Sequence, residues 1–193
     1  MEKQSIFKLT TKHVVAIGIG AALYAAASMI SINVAPNTSL RLAVALLCIF
    51  GAIFGPVVGF LVGFIGHALN DAISYGSVWW SWVFMSGSIG LCTGFIVMKA
   101  DFDVLKADFD VLKGQITRVH IGLLYVYALL GAVLGSVLSY VGDVFVYGEP
   151  AEKVWLQIIV ANITNLIVVA VIGIPVVIAI TKLKGRTTEL EEE

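Results

Sequence analysis

Long runs of apolar residues alternate with short polar segments along almost the whole chain. A transmembrane helix needs about 20 mainly apolar residues in succession. Six stretches approach that length, and the pair Gly55-Pro56, which is typical of a tight turn, separates the second from the third. The predicted spans cover residues 13–33, 40–55, 56–74, 79–98, 118–141 and 154–181. The pattern therefore predicts an all-α membrane protein with six transmembrane helices in one integral membrane domain over residues 1–193.

Lysine and arginine are distributed unevenly between these spans. Three precede the first span, four lie between the fourth and fifth, and three follow the last, whereas the other connections hold only Arg41 and Lys153. Cytoplasmic segments of membrane proteins carry the excess of positive residues, so both termini are predicted to be cytoplasmic. The composition agrees: 59% of the residues are apolar and 13% are charged, against about 25% charged in soluble domains. A net charge of -1 without a basic patch gives no indication of nucleic-acid binding.

Small residues recur at every fourth position in the third, fourth and fifth spans. The three series are Gly55, Gly59 and Gly63; Ser86, Gly90 and Gly94; and Gly131, Gly135 and Ser139. Small residues let helix backbones approach closely in lipid, so the cytoplasmic halves of these helices are predicted to pack tightly. The first span carries the overlapping pairs Ala21/Ala25 and Ala22/Ala26. These pairs indicate either packing within the chain or a docking face for another membrane protein.

Polar and aromatic residues gather in the outer halves of the third to sixth spans. His67, Asn70 and Asp71 share one helix face by their spacing, and Trp79 to Trp82 follow in the next connection. Polar groups inside a span are costly, and a few of them among flat rings are typical of a pocket for a small aromatic ligand. The alternatives are an interfacial tryptophan belt, a structural role for His67 between helices, and solvated carboxylates at the membrane surface.

The chain contains no HExxH, GxSxG or Walker A motif, so no catalytic residue, ATPase site or cofactor is predicted. His67 and Asp71 stand four residues apart and could ligate a metal, but two ligands are a weak signal, so no metal site is predicted. The same pair leaves two other functions open. One is a proton-coupled small-molecule carrier that uses His67 and Asp71 as a relay, and the other is an intramembrane enzyme that uses them as acid and base.

A tandem repeat occupies the predicted cytoplasmic loop, residues 99–117. The heptad Lys-Ala-Asp-Phe-Asp-Val-Leu occurs twice, from Lys99 and from Lys106. On a helix, Phe102, Leu105, Phe109 and Leu112 would form one apolar stripe. The segment is thus either a surface helix or a duplication within a tolerant loop.

Three motifs, "APNT", "GPVVGFLVGFIGHALND" and "WWSWV", together with the alanine pairs of the first span, carry a family resemblance. The chain resembles the substrate-binding S components of bacterial energy-coupling factor (ECF) transporters over nearly its whole length. Within that family it is most similar to a branch assigned to hydroxymethylpyrimidine or pyridoxine.

The resemblance implies a non-catalytic, multi-pass subunit in the bacterial cytoplasmic membrane that captures a vitamin or precursor from outside at high affinity. Its partners would be the lipid bilayer, an EcfT-type transmembrane coupling subunit and two ATPases, which alone use ATP and magnesium. Docking would use Ala21, Ala22, Ala25 and Ala26. By position in the family's pocket, the substrate-binding residues would be Asn37, Trp79, Trp80, Trp82, Asp143, Asn162 and Asn165. The residue pattern adds His67 and Asp71 to this set.

Overall fold

The structure, a computed structural model, describes residues 9–35, 38–98 and 110–192. Its helices are α1 (Thr11–Ser28), α2 (Val44–Phe54), α3 (Pro56–Tyr75), α4 (Trp80–Gly94), α5 (Arg118–Val141), α6 (Ala151–Val168) and α7 (Ile174–Glu192), and its strands are β1 (Ser31–Ala35) and β2 (Thr38–Arg41). A π-helical turn continues α5, and another joins α6 to α7, at Gly142–Val146 and Val169–Gly173. Asn37 and residues 99–109, which hold most of the tandem repeat, lie outside the described residues.

Four helical stretches are long and apolar enough to cross a membrane, counting only the described residues. They are Pro56–Tyr75, Trp80–Val97, Arg118–Val146 and Ala151–Thr187. Helix α2 is apolar but shorter, at 11 residues. Helix α1 has 18 residues, and its first turn contains the polar residues Lys12 and His13. The chain is therefore an essentially helical membrane protein.

A short antiparallel hairpin precedes α2, which the all-α prediction did not include. Residues of β1 and β2 pair in the register Ser31 to Arg41 and Ile32 to Leu40. Because Thr38–Arg41 is extended, the helix within the predicted span 40–55 begins only at Val44. Only Gly55 separates helices α2 and α3. Its φ of 91° is a backbone conformation that residues other than glycine rarely adopt.

Two helices begin with the same type of cap. The Thr10 side chain accepts a hydrogen bond from the His13 backbone N–H, and the His13 side chain accepts one from the Thr10 N–H. Thr117 and His120 repeat the arrangement at the start of α5. Such reciprocal caps satisfy backbone donors that have no partner within the helix. Two of the chain's three histidines are thereby used at helix starts, which leaves His67 for other roles.

Helix α4 lies at the centre of the bundle and contacts α2, α3 and α5. A β-carbon added to Gly59 of α3 would lie 2.2 Å from the Gly90 carbonyl oxygen of α4. On the other side of α4, a β-carbon on Gly131 of α5 would lie 2.8 Å from the Ile89 Cα atom. The prediction that the small-residue series mediate close helix packing is therefore confirmed.

Helix α1 presents its two alanine pairs to different surroundings. Ala21 is 2% exposed and Ala25 is 6% exposed, and both lie on the face that packs against α3. A β-carbon on Gly66 would meet the Ala21 carbonyl oxygen at 2.9 Å. Ala22 and Ala26 are exposed on an adjoining face of the helix. One pair thus belongs to the interior of the bundle and the other to its surface.

The end of the tandem repeat packs against α7. Asp110 and Gln115 pair across a turn, and Val111 within it is buried in the main core. A β-carbon on Gly114, which has a φ of 75°, would lie 2.3 Å from the Gly185 Cα atom. Leu112 also lies in this turn and is exposed, so it does not belong to a helical apolar stripe.

Candidate binding site

A cavity of about 560 Å³ lies between the hairpin and the ends of α3 to α6. Its volume falls within the range of about 300–1,000 Å³ that is typical of small-molecule sites. The lining residues are Asn33, Thr38, Ser39, Arg41, Val44, His67, Asp71, Tyr75, Ser77, Trp79, Trp82, Met85, Ser86, Asp143, Glu149, Lys153, Gln157, Ala161 and Asn165. Six of the predicted site residues line it: His67, Asp71, Trp79, Trp82, Asp143 and Asn165.

Three predicted site residues stand apart from this set. Asn37 lies outside the described residues. Trp80 is 47% exposed, and its ring packs on Phe64 with centroids 5.7 Å apart rather than facing the cavity. Asn162 is directed toward α5, where its side-chain N–H donates to the Ser136 hydroxyl at 2.7 Å.

Helix α6 contributes one face to the cavity. The lining residues on it are Lys153, Gln157, Ala161 and Asn165, at successive intervals of four. Sequence reasoning found Asn165 but not Lys153 or Gln157, because it paired the two asparagines three residues apart. The signal that was available is the i, i+4 series of polar residues that ends at Asn165. The Asn165 side chain makes no hydrogen bond within the described part of the chain, so its amide remains able to bind a ligand.

Arg41 and His67 begin a chain of polar contacts that leads from the cavity to α1. Arg41 Nη1 lies 2.9 Å from His67 Nε2, and His67 Nδ1 lies 2.7 Å from the Ser86 hydroxyl. A guanidinium only donates hydrogen bonds, so His67 Nε2 accepts and the ring proton lies on Nδ1. The Ser86 hydroxyl is also 3.1 Å from the hydroxyl of buried Tyr24. These contacts give His67 a defined tautomer and orientation.

Asp71 connects α3 to the start of α4. One carboxylate oxygen accepts the Trp79 backbone N–H at 3.2 Å, and the other accepts the Asn70 side chain at 3.3 Å. That second oxygen is also 3.4 Å from His67 Nε2. Because Nε2 already accepts from Arg41, no proton lies between His67 and Asp71 in this arrangement. The pair is therefore not arranged as a direct proton relay.

Asp143 is the other carboxylate at the cavity, and it is 1% exposed. The Trp79 indole N–H donates to one of its oxygens at 2.7 Å, and the Trp82 indole N–H donates to the other at 2.8 Å. The Ser81 hydroxyl donates to it as well. We call Asp143 and these three donors the indole clamp. Buried charges are tolerated when several donors surround them, and the clamp meets that condition.

The remaining charged side chains of the cavity form a pair. The Lys153 ammonium donates to the Glu149 carboxylate at 2.6 Å. In the described part of the chain, no three His, Cys, Asp or Glu side chains come together as a metal site would require. The cavity thus combines indole faces with an arginine, an unengaged amide and a neutralised ion pair. Such a lining suits a ring-shaped ligand with a few polar substituents.

Comparison with known proteins places the chain in a family. The family model for the ECF-type riboflavin transporter, S component, matches residues 8–182. A UPF0397 protein of Streptococcus agalactiae serotype Ia is 39% identical over 188 residues, which span 95% of this chain and 98% of that protein. The chain belongs to the ECF-type S component family. It is therefore a non-catalytic, substrate-binding transport subunit, and the enzyme alternative is wrong.

Family membership also indicates where this S component acts and with which partners. It is a multi-pass membrane protein, and membership implies partnership with an ECF module, which consists of a transmembrane coupling subunit and ATPases. The cavity lined by Trp79, Trp82 and Asn165 is then the candidate site for the transported molecule.

Proposed function

We propose that this S component captures a small, flat heteroaromatic vitamin or vitamin precursor from outside the cell. The observation that carries the proposal is the cavity in which two indole rings and an unengaged amide face a common space. The indole N–H groups are already bound to Asp143, so the rings would offer their faces to a ligand. Stacking of this kind favours planar rings.

The proposed topology has six spans with both termini in the cytoplasm. The cavity lies at one end of the helix bundle. Lys12 and Arg118 lie at the other ends of α1 and α5, and Lys182 and Lys184 lie within α7, which continues α6 away from the cavity. Under the positive-inside rule, the basic ends are cytoplasmic and the cavity faces outward. This orientation suits capture from outside. ATP and magnesium would be used only by the partner ATPases.

The proposed ligands are hydroxymethylpyrimidine and pyridoxine, which are both small planar heterocycles with hydroxyl groups. Riboflavin is a second candidate, favoured by the cavity volume of about 560 Å³ and by the name of the matching family model. That volume suits a drug-sized molecule more closely than a single pyrimidine ring. A proton-coupled carrier is less well supported, because His67 and Asp71 do not share a proton in the arrangement described.

Titration of the purified protein in detergent tests the proposal. Tryptophan fluorescence would be followed while hydroxymethylpyrimidine, pyridoxine, riboflavin and thiamine are added separately. Saturable quenching by one of them at nanomolar to micromolar concentration is expected, because two indoles line the cavity. Riboflavin absorbs light itself, so its binding would be checked by equilibrium dialysis. The absence of saturable binding for all four would contradict the proposed ligand class.

We expect Asn165→Ala and Asn162→Ala to have different effects on ligand affinity. Asn165 lines the cavity and has an unengaged amide, so its loss is expected to weaken binding about tenfold, or roughly 1.4 kcal/mol. Asn162 bonds to Ser136 outside the cavity, so Asn162→Ala is expected to retain wild-type affinity and to lose stability instead. Isothermal titration and thermal unfolding of both variants measure the two effects. Equal affinity losses in both variants would mean that the cavity-lining face of α6 is assigned incorrectly.

A further inference from the structure

The indole clamp joins two helices that are distant in sequence. Its carboxylate comes from Asp143 in the π-helical turn after α5, and its donors come from Trp79, Ser81 and Trp82 at the start of α4. Each carboxylate oxygen accepts one indole N–H. Although Asp143 lines the cavity, it is only 1% exposed, so little of the carboxylate remains for a ligand to reach. The carboxylate oxygens are therefore engaged by the protein itself rather than directed at a ligand.

Close backbone approach places Asp143 in this position. A β-carbon on the preceding residue, Gly142, would lie 2.7 Å from Ser81 Cβ. One turn earlier on α5, the Ser139 hydroxyl donates to the Ser81 backbone carbonyl at 3.1 Å. After the clamp, the Glu149 backbone N–H donates to the Asp143 carbonyl at 2.9 Å. Contacts made by residues before and after Asp143 in the sequence thus hold its carboxylate against the first turn of α4.

The clamp determines the orientation of the two indole rings that line the cavity. A tryptophan side chain has two rotatable bonds, so a hydrogen bond at Nε1 restricts the plane of the ring as well as its position. Trp79 is further supported by the ring of Tyr147, with centroids 4.8 Å apart. Rings held in this way before a ligand arrives reduce the ordering cost of binding.

We propose that Asp143 is a positioning residue, which fixes the Trp79 and Trp82 rings as stacking surfaces and does not itself contact the ligand. The inference rests on the proposed function for its ligand and on the clamp geometry for its mechanism. It reassigns Asp143, which the sequence places among the substrate-binding residues. It also accounts for the clustering of tryptophans opposite a single acid.

A mutant cycle separates positioning from contact. D143N keeps one acceptor but directs an N–H group at an indole N–H, so affinity for each of hydroxymethylpyrimidine, pyridoxine and riboflavin that binds the wild type is expected to fall about tenfold or more. W79F/W82F retains aromatic faces and removes both indole N–H groups. In that background D143N is expected to cause little further loss. An equal fold-loss in both backgrounds would overturn the proposal and make Asp143 a ligand contact.

A second measurement needs no ligand. The protein has four tryptophans, so a nitrogen-15 spectrum of its indole groups contains few signals. Two of them, assigned by W79F and W82F, are expected to exchange slowly with water and to shift in D143N. Unchanged signals in D143N would overturn the clamp. If no probe binds the wild type while these signals shift, the ligand proposal fails and the positioning of the rings stands.

If D143N does not fold, a variant that removes a single indole N–H group tests the same proposal. W82F keeps a ring of similar shape and removes one clamp hydrogen bond. Positioning by Asp143 predicts weaker ligand binding in W82F, with the Trp79 indole signal retained. Wild-type affinity in W82F would show that orientation by the carboxylate is not needed.

Discussion

Gly90→Ala is expected to prevent stable assembly of the helix bundle. The added β-carbon would lie 2.1 Å from the Gly59 carbonyl oxygen and 2.5 Å from the Gly59 carbonyl carbon. Both atoms belong to the backbone of α3, so no side chain can rotate away and the two helices must separate. Overpacking typically costs about 1–3 kcal/mol, and a clash between two backbones is expected at or above the upper limit. Thermal unfolding in detergent, followed by size-exclusion chromatography, measures the loss.

Gly122→Ala is the matched control for this experiment. Gly122 also lies within a helix, but a β-carbon there would meet no atom within 4 Å. Because alanine favours the helix by about 1 kcal/mol over glycine, this variant is expected to match or slightly exceed wild-type stability. Equal behaviour of Gly90→Ala and Gly122→Ala would mean that α3 and α4 do not cross at Gly59 and Gly90.

The helical membrane architecture could be predicted because it depends on local properties. Apolar runs of sufficient length leave a membrane-spanning helix as the simplest solution, since every backbone polar group is then satisfied within the segment. The glycine series at every fourth position predicted close helix contacts for the same reason: the spacing itself places the small residues on adjoining turns. No knowledge of the neighbouring helix was required.

The hairpin before α2 was missed although its sequence carried a signal. Ile32 and Val34 alternate with polar residues, and both are exposed on one side of β1, while Asn33 lines the cavity. Alternation of this kind is typical of a strand. The segment lies directly between two apolar runs, and the hydrophobic pattern of those runs extended the second predicted span back to residue 40.

The partners of the site residues could not be predicted from the sequence. Asp143 binds two indoles that precede it by more than 60 positions, and that pairing depends on how α4 and α5 pack. Likewise, Asn162 and Asn165 are the same residue type three positions apart, and tertiary contacts distinguish them: Asn162 bonds to the Ser136 hydroxyl on α5, whereas Asn165 lines the cavity. The residue types of the site were therefore accessible from the sequence, whereas their individual roles depended on tertiary contacts.

Ala22→Leu is expected to abolish uptake by the complete transporter while ligand binding by the isolated chain stays at the wild-type level. We propose that the docking face for the coupling subunit is the exposed side of α1 that carries Ala22 and Ala26. Close approach of two helices in a membrane requires small residues at the contact, and leucine would hold the partner away. The cavity is lined by other elements, so binding is expected to persist. Uptake of labelled ligand into proteoliposomes with the ECF module measures the first effect.

Ala21→Leu provides the contrast, because Ala21 belongs to the other alanine pair. It packs against α3 and is only 2% exposed. There the larger side chain would be forced into the contact with Gly66, and the expected cost is about 1–3 kcal/mol of folding free energy. Ala21→Leu should therefore lower the unfolding temperature, whereas Ala22→Leu should leave it unchanged. Normal uptake by Ala22→Leu would exclude this side of α1 as the docking face. Loss of both binding and stability in Ala22→Leu would instead mean that Ala22 packs inside the bundle.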